Sequence, residues 1–247
     1  MQNTPAKSFD GPNGALAYHQ VDGKGPTVVW LGGFKSDMTG TKAAYLDQWA
    51  RARARGYLRF DYSGHGESDG NFEQGCISDW AADAAAIISA KTTGRLILVG
   101  SSMGAWITTL IARQLHARLA GLVLIAPALD FTEALMWPGM SEADRQTILR
   151  DGRLETPSEY SDEPTVITQK LIEDGRNNLV LDQPLDLQIP IRVLQGMNDP
   201  DVPFAHALKC TEAFTSDDIL FAISKSGDHR LSTPEDLSRL IAAIEAI

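Results

Sequence analysis

The sequence has little cysteine, and the little it has forms no chemical motif. Cys76 and Cys210 lie far apart in 247 residues, with no C-x-x-C pair and no spacing typical of a metal site. This excludes a small disulfide-stapled framework and a cysteine-ligated metal centre. We therefore expect two reduced thiols in a cytoplasmic protein without a bound metal.

Long apolar runs and basic runs are also missing. No stretch approaches the ~20 apolar residues that span a bilayer, and the start "MQNTPAKSFDGPNG" lacks the apolar core of a secretory signal. Acidic residues outnumber basic ones by 32 to 22, so the formal net charge is −10. Nucleic acid and anionic membrane surfaces are therefore not expected as partners. The one basic cluster, "RARAR" at 51–55, is typical of a solvated helix end.

What the sequence does contain is an alternation of strand-like and helix-like segments. Its near-continuous apolar runs are typical of strands buried on both faces of a sheet. Alternation with amphipathic helices predicts an α/β fold, with a mainly parallel central sheet and helices on both faces. A chain of this length is expected to form a single domain, 1–247. The clearest runs are "TVVWLGG" (27–33), "RLILVG" (95–100), "GLVLIAPA" (121–128) and "IRVLQG" (191–196).

The alternation breaks at about 130–188, a segment with several prolines and glycines and some helical pieces. A long insertion of this kind often forms a cap or lid over the ligand side of the sheet. The alternative is an inert surface excursion. Four large apolar side chains favour the cap, because they could line an apolar substrate pocket: Leu135, Met136, Trp137 and Met140.

The five residues "GSSMG" follow the strand "RLILV" and precede a helix pattern. Ligands of open α/β sheets bind at the carboxyl ends of the strands. In this strand–turn–helix context, G-x-S-x-G is typical of a nucleophile on a tight corner. Gly100 and Gly104 permit the corner, and the spacing makes Ser102 the candidate nucleophile rather than Ser101.

A serine nucleophile needs a histidine base at the same edge of the sheet. His229, in "SKSGDHRLS", follows the last predicted strand and is the favoured base. His65, in the loop "DYSGHGESDG", is its serious rival. The other three histidines fall in predicted strands or helices and are expected to have packing or surface roles; they are His19, His116 and His206.

An acid must orient the imidazole, and several carboxylates follow strands. Asp199, in "IRVLQGMNDPDVP", lies just past a strand end and is favoured, with Asp201 close by. Asp130 leaves another strand end and is a second candidate. Asp228 is adjacent to His229 in sequence, which makes good geometry to the ring difficult. The order Ser102, Asp199, His229 is that of a nucleophile, acid and base on this type of sheet.

Attack on a carbonyl also needs donors for the oxyanion that develops. One is expected from the backbone N–H of Met103, directly after the nucleophile. The second is expected from Phe34, after "TVVWLGG", where Gly32 and Gly33 let the backbone approach. The glycines of "DYSGHGESDG" have the wrong spacing for a dinucleotide-binding loop.

Five motifs, which follow one another from about Thr27 to the C-terminus, together resemble those of a known superfamily. "WLGGFKSDMTGTKA", "RFDYSGHGESDG", "GSSMGAW", "GMNDPDVPF" and "GDHRLS" resemble the α/β-hydrolase superfamily. "GFKSDMTGTKA" and "FDYSG" more narrowly resemble the branch with a mitochondrial palmitoyl-protein thioesterase and acyl-glucuronide esterase. Many superfamily members have His-Gly in place of Gly32-Gly33 and a histidine in place of Gln195. These departures bear on substrate choice more than on chemistry.

The resemblance implies an α/β-hydrolase fold and the same site: Ser102, Asp199, His229, with Phe34 and Met103 as oxyanion donors. The leading hypothesis is a hydrolase of small acyl esters or thioesters that works through an acyl-serine and needs no cofactor. The alternatives are carbon–carbon bond hydrolysis or perhydrolysis by the same triad, or a non-catalytic ligand-binding protein. The sequence leaves the acyl chain, the leaving group and the oligomeric state open.

Overall fold

A computed structural model describes residues 5–157 and 164–247 of the chain. Within these residues eight strands form one sheet in the order β1-β2-β4-β3-β5-β6-β9-β10, and β7 and β8 form a separate hairpin. The strands are β1 Lys7–Gly11, β2 Gly14–Val21, β3 Lys24–Leu31, β4 Arg55–Phe60, β5 Leu96–Ser101, β6 Leu119–Ile125, β7 Arg153–Thr156, β8 Thr165–Thr168, β9 Ile191–Gly196 and β10 Ile219–Ser224. The helices are α1 Thr41–Ala52, α2 Ile77–Lys91, α3 Met103–Leu115, α4 Trp137–Gly139, α5 Glu142–Asp151, α6 Gln169–Arg176, α7 Phe204–Glu212 and α8 Pro234–Glu245.

The predicted α/β fold is confirmed. All neighbours from β4 to β10 pair in parallel, and only β1 and β2 add antiparallel pairs at one edge. The apolar runs of β5 and β6 are buried along their whole length. One face is covered by α2 and α3, with Trp80 and Trp106 fully buried, and the other by α1 and α8, with Leu46 and Leu240 buried. This arrangement brings the carboxyl ends of the parallel strands to one edge.

Two local features are not evident from the sequence pattern. The polar start of the chain contains strand β1, which pairs with β2. Ser78 is suited to cap helix α2 by its residue type, but the helix begins one residue after Cys76, so Ser78 lies inside the first turn. Its backbone N–H and its hydroxyl instead donate to the carboxylate of Asp174, at 2.8 and 2.7 Å. A carboxylate from α6 therefore covers the N-terminus of α2.

The segment between β6 and β9 interrupts the alternation of sheet strands and helices, and its residues 158–163 lie outside the described residues. It contains a π-helical turn at Thr132–Met136, then α4, α5, the hairpin β7–β8 and α6. A small apolar cluster of its own is built on Ile148, Ile167 and Ile172. The strands that flank the insertion are hydrogen-bonded neighbours, since Ile125 pairs with Leu194.

Polar contacts attach the insertion to the rest of the fold. Lys170 forms an ion pair with Asp79 at 2.8 Å, and Arg153 forms one with Glu73 at 2.8 Å. Together with the Asp174 contact to α2, these pairs hold the insertion against the loop and helix that follow β4. None of the helices in the described part of the chain combines the length and apolarity needed to cross a membrane.

Candidate active site

Ser102 occupies the corner between β5 and α3. Its backbone has φ 55° and ψ −119°, a left-handed conformation that is strained for a residue with a side chain. Its N–H donates to the Ile125 carbonyl at 2.8 Å, which ties the corner to the end of β6. A Cβ at Gly104 would lie 2.0 Å from the Leu31 carbonyl oxygen, and one at Gly100 would lie 2.4 Å from the Gly104 carbonyl oxygen. Only glycines fit there, so the corner presents Ser102 at the edge of the sheet and at the positive end of α3.

Asp199 and His229 meet at the same edge, after β9 and β10. The Nδ1 atom of His229 lies 2.9 Å from Oδ2 and 3.1 Å from Oδ1 of Asp199. The Asp199 side chain is fully buried, whereas the His229 side chain is 18% exposed. A buried carboxylate on Nδ1 favours the tautomer that leaves Nε2 as the acceptor.

Asp199 is itself held rigidly. Its Oδ1 atom accepts the backbone N–H groups of Asp201 at 2.9 Å and Val202 at 2.8 Å. The side-chain amide of Gln195 donates to Oδ2 at 3.3 Å and to the Val202 carbonyl at 3.0 Å. These donors satisfy the buried charge and fix the plane of the carboxylate that faces His229.

The segment 225–232, which we call the base loop, carries His229. The Asn198 N–H donates to the Gly227 carbonyl at 2.9 Å. A Cβ at Gly196 would lie 2.4 Å from that same oxygen, so the end of β9 and the base loop are in close backbone contact. Beyond the histidine, Leu231 is left-handed at φ 45° and buried. This contact explains why a glycine ends β9.

The rival residues have other partners. His65 is 3% exposed, its Nδ1 faces the Ser63 carbonyl at 3.2 Å, and burial lowers its pKa to about 4. Asp130 accepts two backbone N–H groups of the insertion at 2.9 Å, and burial raises the pKa of this carboxyl. Asp228 accepts the Leu231 N–H at 2.9 Å. These side chains therefore have structural contacts of their own.

The loop after β3 lies against Ser102. A Cβ on Gly33 would be 3.4 Å from the Cβ of Ser102, so the backbone of this loop is close to the corner. Phe34 follows, and its half-buried ring makes edge contacts with Phe72 and Phe131, with centroids 4.9 and 5.8 Å apart. Met103 is the first residue of α3 and is buried. Phe34 thus directly follows the residue that approaches Ser102, and Met103 directly follows Ser102; their role as oxyanion donors stays a prediction.

The predicted pocket residues lie at the base of the insertion. Leu135 and Met136 pack against the main core from the π-helical turn. Trp137 and Met140 pack against the insertion's own apolar cluster. The Trp137 ring is also flanked by two guanidinium groups, at 5.6 and 4.8 Å from its centroid. Their role in substrate binding stays a prediction.

Three polar residues lie near His229 or Asp199, and sequence reasoning missed the contacts of Gln195 and the contribution of Lys42. Gln195 holds Asp199, and the Asp201 carboxylate lies 4.0 Å from His229 Nε2. Lys42 of α1 donates to the carbonyl of Arg230. Asp199, Asp201 and His229 also have donor atoms within 4.8 Å of one another, and among the described residues this is the group that could hold a cation. The oxygens of Asp199 are already committed to hydrogen bonds, so we assign no metal there.

The fold, together with Ser102, Asp199 and His229 at one edge of its sheet, indicates the class of protein. The chain matches the sequence profile of the alpha/beta hydrolase family over residues 28–243. The profile covers all three strand ends that carry Ser102, Asp199 and His229. The chain belongs to the alpha/beta hydrolase family.

Comparison with individual relatives and solved structures narrows the family to one branch. The chain is 32% identical to bovine "Palmitoyl-protein thioesterase ABHD10, mitochondrial" over 96% of its own length and 76% of the relative's. A putative hydrolase from Agrobacterium vitis S4 is 42% identical, with a TM-score of 0.92 over 98% of this chain and 99% of the other. The mouse alpha/beta hydrolase domain-containing protein 10 superposes with a TM-score of 0.90 at 29% identity, over 98% of each chain. The predicted resemblance to this branch is confirmed.

The expected cytoplasmic location is wrong by the same comparison. The relatives from cattle, mouse and human that match almost the whole chain are mitochondrial proteins. Two isolated reduced thiols are compatible with several compartments, so cysteine content could not distinguish them.

Proposed function

We propose that this protein is a serine hydrolase that cleaves carboxylic esters or thioesters through an acyl-Ser102 intermediate. The family and its thioesterase relatives make an ester or thioester hydrolase the enzyme class of the chain. The observation that carries the residue assignment is the hydrogen bond between His229 and the buried Asp199 at the edge where the strained Ser102 stands.

In this mechanism Ser102 Oγ attacks the acyl carbon while His229 Nε2 takes its proton. Asp199 keeps the other ring proton on Nδ1 and stabilises the imidazolium that forms. The N–H groups of Phe34 and Met103 donate to the oxyanion. His229 then protonates the leaving alcohol or thiol. Water, activated by the same imidazole, hydrolyses the acyl-serine and restores Ser102.

The insertion at about 130–188 would act as a cap over this site within a single domain, 1–247. Two contacts support that role. Lys35, next to Phe34, donates from its ammonium group to the Pro164 carbonyl of the insertion at 3.1 Å. Leu135 and Met136 pack against the main core, the cluster that also contains Phe131, whose ring contacts Phe34. With Trp137 and Met140 they would contact the acyl chain.

The paired serines provide a matched test. A fluorophosphonate probe should label the wild type and Ser101→Ala, but not Ser102→Ala. Aryl esters of graded acyl length and acyl thioesters, assayed on the same three proteins, should give turnover that only Ser102→Ala loses. Equal labelling of Ser102→Ala would overturn the assignment, and no turnover on any substrate would count against an esterase.

A further inference from the structure

Lys42 occupies an unfavourable position for a cation. It lies in the first turn of α1, where a positive charge opposes the helix dipole. It is half-buried, and burial lowers its pKa to about 8. Fixing and desolvating a long ammonium side chain is unfavourable unless specific contacts offset it.

The contact of Lys42 is directed at the base loop. Its ammonium group donates to the carbonyl oxygen of Arg230, the residue directly after His229 and 188 positions from Lys42 in the chain. On the other side of the histidine, Asn198 holds the Gly227 carbonyl. His229 is therefore fixed by backbone contacts on both of its flanks.

The strain in the base loop makes such a restraint necessary. Leu231 has φ 45° although it is not a glycine, and its N–H is held by the carboxylate of Asp228 at 2.9 Å. Conformations of this kind persist only where the surroundings enforce them. Without the Lys42 contact, the peptide between Arg230 and Leu231 could relax and carry His229 away from Ser102.

Charged groups from three elements face Lys42. Asp228 and Arg230 belong to the base loop, Asp236 to the first turn of α8, and Asp199 follows β9. The three carboxylates favour the ammonium form and Arg230 opposes it. Lys42 therefore lies among the carboxylates that surround the base loop.

We propose that Lys42 is a positioning residue for His229, fixing the base loop through the Arg230 carbonyl without touching the substrate. The inference rests on the proposed function, because it assumes that His229 is the base. Since α1 follows the loop that carries Phe34, the same lysine also couples the oxyanion side of the site to the base side.

The test compares Lys42→Met, Lys42→Arg and Lys225→Met. The first keeps the length of the side chain but removes the donor and the charge, and the second keeps both. Lys225 is exposed in the same base loop, so its substitution controls for loss of a nearby charge. The readouts are kcat, KM and hydrogen exchange of 225–232.

For Lys42→Met we expect kcat to fall roughly ten- to a hundredfold, as for loss of a charged hydrogen bond that positions a catalytic group. KM should change little, because Lys42 does not contact substrate. Exchange over 225–232 should be faster. Lys42→Arg should restore most of each property, and Lys225→Met should match the wild type.

The outcomes separate this proposal from the proposed function. If Lys42→Met keeps the wild-type kcat while Ser102→Ala is inactive, the role of Lys42 is overturned and the hydrolase remains. Lower kcat with unchanged exchange over 225–232, or without recovery in Lys42→Arg, would indicate general destabilisation and would also overturn it. If the wild type has no Ser102-dependent turnover, the proposed function fails. Unchanged exchange over 225–232 in Lys42→Met would then overturn the loop restraint as well.

Discussion

Replacing Asp199 with asparagine should remove nearly all turnover by changing the tautomer of His229. Oδ1 of Asp199 accepts two backbone N–H groups at 2.8 and 2.9 Å, so the oxygen of an asparagine must stay there. The amide nitrogen then takes the place of Oδ2, 2.9 Å from His229 Nδ1. An NH₂ group at that point is closer to Nδ1 than the retained oxygen at 3.1 Å, so it donates to Nδ1 and puts the ring proton on Nε2. The ring can then no longer accept the proton of Ser102.

The expected loss follows from that geometry. A histidine in the wrong tautomer lowers the kcat of a Ser-His-Asp enzyme by about 10⁴-fold, or about 5.5 kcal/mol at 1.36 kcal/mol per tenfold. The loss of folding stability should be smaller, about 1 to 3 kcal/mol, because both backbone hydrogen bonds survive. The new NH₂ faces the Gln195 amide nitrogen, which lies 3.3 Å from Oδ2. The Oε1 atom of Gln195 has no partner among the described residues, so a flip of that amide could supply an acceptor.

Asp130→Asn is the matched control. Asp130 is also buried, follows a strand end and accepts two backbone N–H groups, but these belong to the insertion. We expect its variant to keep kcat within about threefold, since the hydrogen bonds of Asp130 hold the insertion and not His229, and the loss of one acts mainly on stability. Steady-state hydrolysis of an aryl ester and an acyl thioester, with urea denaturation of both variants, measures the contrast. An Asp199→Asn enzyme with more than a tenth of the wild-type kcat, or an equal loss in Asp130→Asn, would refute the role of Asp199.

Three further predictions concern the framework around the site. Gly104→Ala should lower the free energy of unfolding by at least about 2 kcal/mol, because the new Cβ would lie 2.0 Å from the Leu31 carbonyl oxygen; an unchanged urea midpoint would contradict this. Burial raises the pKa of Asp61 from 3.8 to about 6, so the unfolded chain releases that proton first and the free energy of unfolding should fall as pH rises from about 4 to 6. Asp61→Asn should flatten that dependence, and equal pH slopes in both proteins would refute it. Asp174→Ala removes the carboxylate that covers Ser78 and should cost about 1 kcal/mol and speed proteolysis of 164–180, whereas equal cleavage rates would sink the idea.

The fold was predictable where burial produces a recognisable pattern of apolar residues along the sequence. β5 and β6 are buried on both faces, so each appears as a continuous apolar run. Strand β1 leaves no such pattern, because it is a mostly exposed edge strand whose position is set by pairing with β2. The strands β7 and β8 have four residues each and are mixed in polarity. They pair with each other although residues 157–164 separate them in the sequence.

The candidate site was predictable to the extent that topology determines it. Parallel strands bring their carboxyl ends together, so Ser102, Asp199 and His229 could be expected at one edge before any contact was known. The contribution of Lys42 depends on one hydrogen bond across 188 positions, which no local pattern encodes. A cation in the first turn of a helix was the available signal. The hydrogen bond of Ser78 is equally remote from any local pattern, because its N–H donates to the Asp174 carboxylate, 96 positions away.

The insertion leaves the sheet after β6 and returns at β9, and these strands pair directly through Ile125 and Leu194. A loop closed between adjacent strands can double in length for only about 0.6 kcal/mol of extra closure entropy. The segment can therefore grow, shrink or be exchanged during evolution without disturbing the register of the strands that flank it. For protein engineering, a different segment could be grafted between 126 and 190 while the strand ends that carry Ser102, Asp199 and His229 are inherited unchanged.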